Sequence, residues 1–220
     1  MNSTARAAAS DRGSRLSPAE VADYRRLGYH FPVRVMSAER AAHYLAKLNA
    51  HEADHGKLQG SLRHKPHLYL TWLAELVRLP TILDAVGDVL GPNLMVYSTS
   101  FFNKEPHDPS YVSWHQDAHY WGLDSGDVIT AWIALVDSTT ENGAMRVVPG
   151  THLVDLPHVD TFAEHNMLSR GQEVADPGAR ALRTQLRAQT RLQLRGCRRT
   201  VADATSAVAA ATSAAPAGRR

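Results

Sequence analysis

No aromatic side chain follows Phe162 and no histidine follows His165 in this chain of 220 residues. Close-packed cores are built mostly from large apolar and aromatic side chains, so the core must come from the sequence before that point. Residues 171–220 hold nine Arg, no Lys and three acids (Glu173, Asp176 and Asp203), a net +6. The remainder then carries fifteen basic and nineteen acidic residues, a net −4. Ala, Arg and Thr supply 27 of the final 50 positions. Body and tail are two different kinds of sequence, and the basic excess belongs to the tail. The body gives no electrostatic reason to expect nucleic acid as a partner.

Several classes are set aside by composition. No apolar run approaches the roughly 20 residues that a membrane-spanning helix needs. The first fifteen residues lack the apolar stretch of a signal peptide. The single cysteine, Cys197, excludes an intrachain disulfide and any cysteine-based zinc cluster. A cytoplasmic protein is expected. The chain divides into a leader over 1–15, expected to be disordered, a folded body over 16–173 and a low-complexity basic tail over 174–220. Residues 179–195 could form a weakly amphipathic helix. The Ala/Thr/Ser run after about residue 200 has too little apolar bulk to offset ordering entropy.

Within the body, helices come first. Ser17-Pro18-Ala19-Glu20 reads as a helix start, with Ser at the N-cap and Pro at the first helical position; this helix runs to about Leu27 and stops at Gly28. Ser37 caps a second, in which Ala41, Tyr44, Leu45 and Leu48 recur at helical spacing. Residues 51–64 read as loop, and two more helices are predicted over 67–77 and 81–90. The character then changes. LMVYSTSFF (94–102), DVITAWIALVD (127–137) and AMRVVP (144–149) read as strands bounded by turn signals. Helices first and strands later predict an α+β domain, with the helices covering a β-sandwich or barrel.

The sharpest local feature is Ser113-Trp114-His115-Gln116-Asp117. On extended backbone, residues i and i+2 face the same side, so His115 and Asp117 can converge on one ion. An imidazole and a carboxylate are two of the three ligands of a facial triad, the arrangement that leaves positions open on iron(II). Alone, a His-x-Asp dipeptide is as readily a surface loop.

The wider stretch SWHQDAHYWGLDSGDVITAWIALVDSTTENGAMRVVPGTH (113–152) resembles the phytanoyl-CoA dioxygenase family of iron(II)/2-oxoglutarate oxygenases. FFNKEP (101–106), LGPN (90–93) and RHKPHL (63–68) fit it too. The resemblance implies a double-stranded β-helix, or jelly roll, with iron(II) bound by His115 and Asp117 and 2-oxoglutarate as co-substrate. It implies Ser100 and Trp132 as residues of the co-substrate pocket, although Trp132 in an apolar strand could equally be core. The retained carboxylate of Asp117 favours hydroxylation of a small organic substrate by molecular oxygen over halogenation. His119 and Trp121 stand near the substrate mouth or remain exposed, and His152 is structural. Lys104 reads as a solvated strand-end residue, and His107, His158 and His165 as surface residues.

The resemblance breaks in the tail. The family supplies a third iron-binding His, and an Arg for the distal carboxylate of 2-oxoglutarate, from late strands. Here no His follows 165, and the tail arginines match no motif. The composition is that of a GC-rich gene read in a wrong frame, so a frameshifted C-terminus is expected, with a His followed by an Arg encoded in another frame downstream of about codon 174. The late strands of the jelly roll are expected to be missing and metal binding to be weak. The alternatives are a catalytically inactive relative and a metal-free ligand-binding jelly roll. Substrate and oligomeric state are not legible.

Overall fold

A computed structural model describes residues 15–57, 64–104, 107–121, 123, 127–139, 142, 144–175, 184–185, 192–196, 201–203 and 207–214. The leader over 1–14 and the remaining tail residues lie outside this set. Arg15 is anchored: the backbone N–H groups of Arg15 and Leu16 donate to Asp88 Oδ2 at 2.7 and 2.6 Å.

Among the described residues, four α-helices lie within 18–90, with one strand between the first two. In α1 (Pro18–Leu27) the Ser17 side chain accepts the Glu20 N–H while Glu20 Oε2 takes the Ser17 N–H, a reciprocal cap. Gly28 ends it in the left-handed region, φ 82°. Helix α2 (Ala38–His55) starts at Ser37 as expected but runs to His55, into the segment that polarity marks as loop. Its Ala41, Tyr44 and Leu48 are buried, so one apolar stripe holds the whole helix down while its other faces stay polar. A 3₁₀ turn (Pro66–Leu68) and α3 (Thr71–Val77) replace the single predicted helix over 67–77, and α4 (Pro80–Leu90) follows. Leu73, Leu76 and Ile82 from these helices pack with Ile129, Ala131 and Ile133, the main core. Burial of each such Leu or Ile contributes about 1.5–3 kcal/mol. No helix among the described residues is long and apolar enough to cross a membrane.

The body supplies seven strands: β1 (Tyr29–Val33), β2 (Leu94–Phe102), β3 (His115–Gln116), β4 (Val128–Ile133), β5 (Arg146–Val147), β6 (His158–Asp160) and β7 (Gln172–Val174). Strand β1, with a proline at its fourth position, carries no strong strand signal in the sequence. The tail departs from expectation. Its segments β8 (Thr184–Gln185), β9 (Leu192–Gly196), β10 (Val201–Asp203) and β11 (Ala207–Ala214) are strands, two of them within the span that reads as a weak helix. They complete a five-stranded sheet, β1-β9-β4-β11-β2, and a four-stranded one, β3-β10-β5-β8. Strand β6 pairs with β7 as a separate hairpin.

The late strands are therefore present as backbone, and there is a physical reason. All six residues of β4 are buried, so water cannot satisfy its N–H and C=O groups on either side. A ladder is a backbone interaction, and small or β-branched residues can provide it without bulk of their own. Trp132 on β4 packs with Met145 and with Val147 on β5, so the two sheets face each other. The architecture is the expected jelly roll, helix-covered on the outer face of β4.

Candidate metal centre

His115 and Asp117 meet at the floor of a cavity of about 370 Å³ between the sheets. Their side chains are 7% and 11% exposed, and His115 Nε2 lies 2.9 Å from Asp117 Oδ1. Each is oriented from behind. His115 Nδ1 is 2.8 Å from the Ser113 carbonyl, which requires a proton on Nδ1 and leaves Nε2 as a lone pair. Thr130 on β4 donates its hydroxyl to Asp117 Oδ2 at 2.7 Å, leaving Oδ1 to face the imidazole.

That pair is the fit test for a metal. Two acceptors set 2.9 Å apart repel unless a cation lies between them or the imidazole takes a second proton. Adjacent ligands at right angles on an ion with bonds of about 2.1 Å are themselves separated by about 3 Å. Outer partners that fix ring and carboxylate, as Ser113 and Thr130 do, are what metal ligands regularly have. The donor set fits a divalent ion. Among the described residues, no group of three or more His, Cys, Asp and Glu side chains is placed to hold one.

His158 cannot supply the third ligand in this arrangement. Its Nδ1 donates to the Leu156 carbonyl at 2.7 Å and its Nε2 accepts the Gln116 backbone N–H at 3.0 Å, so both nitrogens are spent. It is not a surface residue: it stacks on His119 with ring centroids 4.1 Å apart. Burial holds its pKa below the usual histidine value, with the neighbouring His119 and His115 adding to the effect and the Leu156 bond opposing it. His165 is exposed, and its carbonyl accepts the Tyr111 N–H. His152 is structural as read: Nε2 donates to Arg25 O at 2.8 Å, docking the Pro-Gly-Thr-His turn on the end of α1.

Ser100 lines the cavity with Ser98 and Phe102, the same face of β2. Tyr97 lines it too, although neighbouring strand residues should face opposite ways. The reason is a bulge: Ser98 pairs with Ala211 and Val96 with Thr212, so Tyr97 is the extra residue. Its ring lies 5.5 Å from that of Trp121, which also lines the cavity. Trp132 sits lower, fully buried among core residues, and its indole N–H has no partner among the described residues. The rim carries His64, Lys65 and Arg170. Lys65 Nζ stands 4.7 Å over the Tyr97 ring, and Arg170 pairs with Asp160.

Sequence reasoning missed Ser113, Thr130, Lys65 and Tyr97. Thr130 had a usable signal, since it shares a strand face with Trp132 two residues on. Lys65 and Tyr97 depend on a left-handed loop residue and a bulge, which leave no pattern.

The profile of the family described as phytanoyl-CoA dioxygenase (PhyH) matches residues 12–191. The chain belongs to the phytanoyl-CoA dioxygenase family. A probable alpha-ketoglutarate-dependent hypophosphite dioxygenase of Stutzerimonas stutzeri is 32% identical over 117 residues, 51% of this chain and 41% of that protein. L-proline trans-4-hydroxylase of Streptomyces griseoviridis is 34% identical over 92 residues, 40% of this chain and 34% of that enzyme. The matches thus span well under two thirds of these relatives. Among solved structures, the non-heme monooxygenase ThoJ superposes with a TM-score of 0.73 at 30% identity, covering 88% of this chain and 76% of ThoJ. The epimerase SnoN, solved in complex with Fe3+, alpha ketoglutarate and nogalamycin RO, shares the fold, with a TM-score of 0.69 at 23% identity over 90% of this chain and 83% of SnoN. Family membership and the architecture of this phytanoyl-CoA dioxygenase relative therefore agree.

Proposed function

We propose that this chain is an iron(II)/2-oxoglutarate-dependent oxygenase that hydroxylates a small organic substrate with molecular oxygen. The observation that carries the reading is the His115 Nε2–Asp117 Oδ1 pair, two buried acceptors face to face at the floor of an open cavity. The relatives named above support it by their own described activities.

Bound iron and 2-oxoglutarate would supply the oxygen chemistry. The protein's residues bind and orient. His115 and Asp117 hold the ion, with Ser113 and Thr130 keeping the imidazole tautomer and carboxylate rotamer ready before it arrives. Ser100 offers a hydroxyl to the co-substrate, and Trp132 backs the cavity from the core. The Lys65 ammonium at the rim attracts the dianion. Tyr97, Trp121 and Phe102 keep one wall apolar and displace water from the reacting carbon. Residues 16–173 are the body that builds this site, and 174–220 form a tail whose composition sets it apart.

One observation favours a second reading, a relative that binds metal weakly and turns over little: among the described residues two protein ligands stand at the site where a triad has three. Succinate release with iron(II) and 2-oxoglutarate decides between them. The proposed reading expects release that His115→Ala and Asp117→Ala each abolish, and that rises when the C-terminus is replaced by the frame-corrected sequence. Release that is unchanged in both variants would overturn the metal assignment.

A further inference from the structure

One side of the cavity is closed by a strap, residues 161–172, at the end of the β6–β7 hairpin. It is internally tied: the Thr161 hydroxyl donates to Gly171 O at 2.7 Å, Phe162 N–H to Arg170 O at 3.1 Å and Gly171 N–H to Leu168 O at 2.9 Å. Met167 and Leu168 turn towards the cavity.

The strap is attached to the segment that leads into the metal motif. Tyr111 N–H donates to His165 O at 2.9 Å, and Met167 N–H to Tyr111 O at 2.8 Å. The next link is made by side chains. Asn166 Nδ2 donates to Ser113 Oγ at 2.8 Å, and Ser113 Oγ donates onward to Gln172 O. Asn166 Oδ1 accepts the Leu168 N–H at 3.1 Å. Ser113 is 5% exposed, and its carbonyl accepts His115 Nδ1–H at 2.8 Å. A continuous run of hydrogen bonds therefore joins Leu168, which faces the cavity, to the imidazole at its floor.

We propose that Ser113 and Asn166 are positioning residues that register the substrate-side strap on the His115 imidazole, so that what contacts Met167 and Leu168 is felt at the metal ligand. The proposal rests on His115 being that ligand, as read above. Neither residue touches the reacting atoms. Both act through His115: a Ser113 backbone held at one side by Asn166 and Gln172 fixes where its carbonyl points, and that fixes the ring.

The test uses the full chain, Co(II) as the probe metal and ring-15N-labelled histidine. Ser113→Ala and Asn166→Ala are expected to weaken Co(II) binding about tenfold and to change its visible spectrum, the size usual for loss of an outer partner. Ser113→Thr restores both, and Glu164→Ala, an exposed strap residue, changes neither. Asn166→Asp keeps an acceptor for the Leu168 N–H but turns the donor facing Ser113 into a charged acceptor that draws the Ser113 hydroxyl away from Gln172 O, so it replaces Asn166→Ala if that variant fails to fold. A folded Asn166 variant with parental affinity and spectrum would overturn the proposal. If the parent binds no Co(II), the metal reading fails instead. The coupling is then decided in the metal-free protein: a shift of the His115 ring nitrogens in the Asn166 variants but not in Glu164→Ala supports it, and unchanged resonances overturn it.

Discussion

Gln116, between the two candidate ligands, is fully buried, and its side-chain amide is saturated. Nε2 donates to Thr151 O at 3.1 Å and to Val154 O at 3.0 Å, and Oε1 accepts the Leu156 N–H at 3.1 Å. One side chain thereby holds the turn 151–156 against the back of the metal motif. Gln116→Met keeps length and volume but removes all three bonds. An orphaned buried group costs about 1–3 kcal/mol, and a bond whose partner can rehydrate about 0.5–1.5 kcal/mol. Val154 is 50% exposed, so its carbonyl belongs to the cheaper class, while Thr151 and Leu156 are only partly accessible. The sum is about 5 kcal/mol at mid-range, a fall in melting temperature of roughly 10–20 °C for a chain of this size. Urea denaturation followed by far-ultraviolet circular dichroism measures it. Gln116→Glu should cost more, because it removes both donors and adds a buried charge. A Gln116→Met variant within about 0.5 kcal/mol of the parent would refute the reasoning, since surface substitutions alone span that range.

Two further outcomes are expected. Gly28→Ala places a Cβ 2.3 Å from His152 Nδ1 at a backbone φ of 82°, so strain and the lost His152–Arg25 bond should together cost about 2–3 kcal/mol in urea denaturation, less when combined with His152→Ala. His67, buried beside Thr99 and close to Arg78 and Lys65, has its pKa pushed below the usual value of about 6.5 chiefly by burial. The unfolded chain therefore binds the proton first, so His67's contribution is complete above about pH 6.5 and fades as pH falls below it; His67→Gln should flatten the melting temperature between about pH 6.5 and 5.

The α1 and α4 boundaries were legible because caps and prolines are local chemistry, written in the residues that perform it. The end of α2 was not: His51, Glu52, Asp54 and His55 are polar, and their helix extends a stripe whose last buried residue is Leu48. Strand β1 escaped because its partner β9 lies far along the chain, and pairing at such separation leaves no local periodicity. The juxtaposition of His115 and Asp117 was legible because i and i+2 across extended backbone share a face. Ser113, Thr130 and Gln116 were not, since each acts through a partner in another element.

The tail shows how far backbone alone can complete a fold. Strand β10 lies between β3 and β5, and its register sets Ala202 opposite His115 and opposite Val147. Strand β10 is therefore the backbone that flanks the His115-Gln116 segment. Sheet closure asks position 202 only for an N–H and a C=O, which alanine provides. A metal asks it for a lone pair, which alanine does not. Hydrogen-bond ladders tolerate almost any residue, whereas coordination depends on side-chain identity. The same segment can thus close the jelly roll and still leave His115 and Asp117 as a pair.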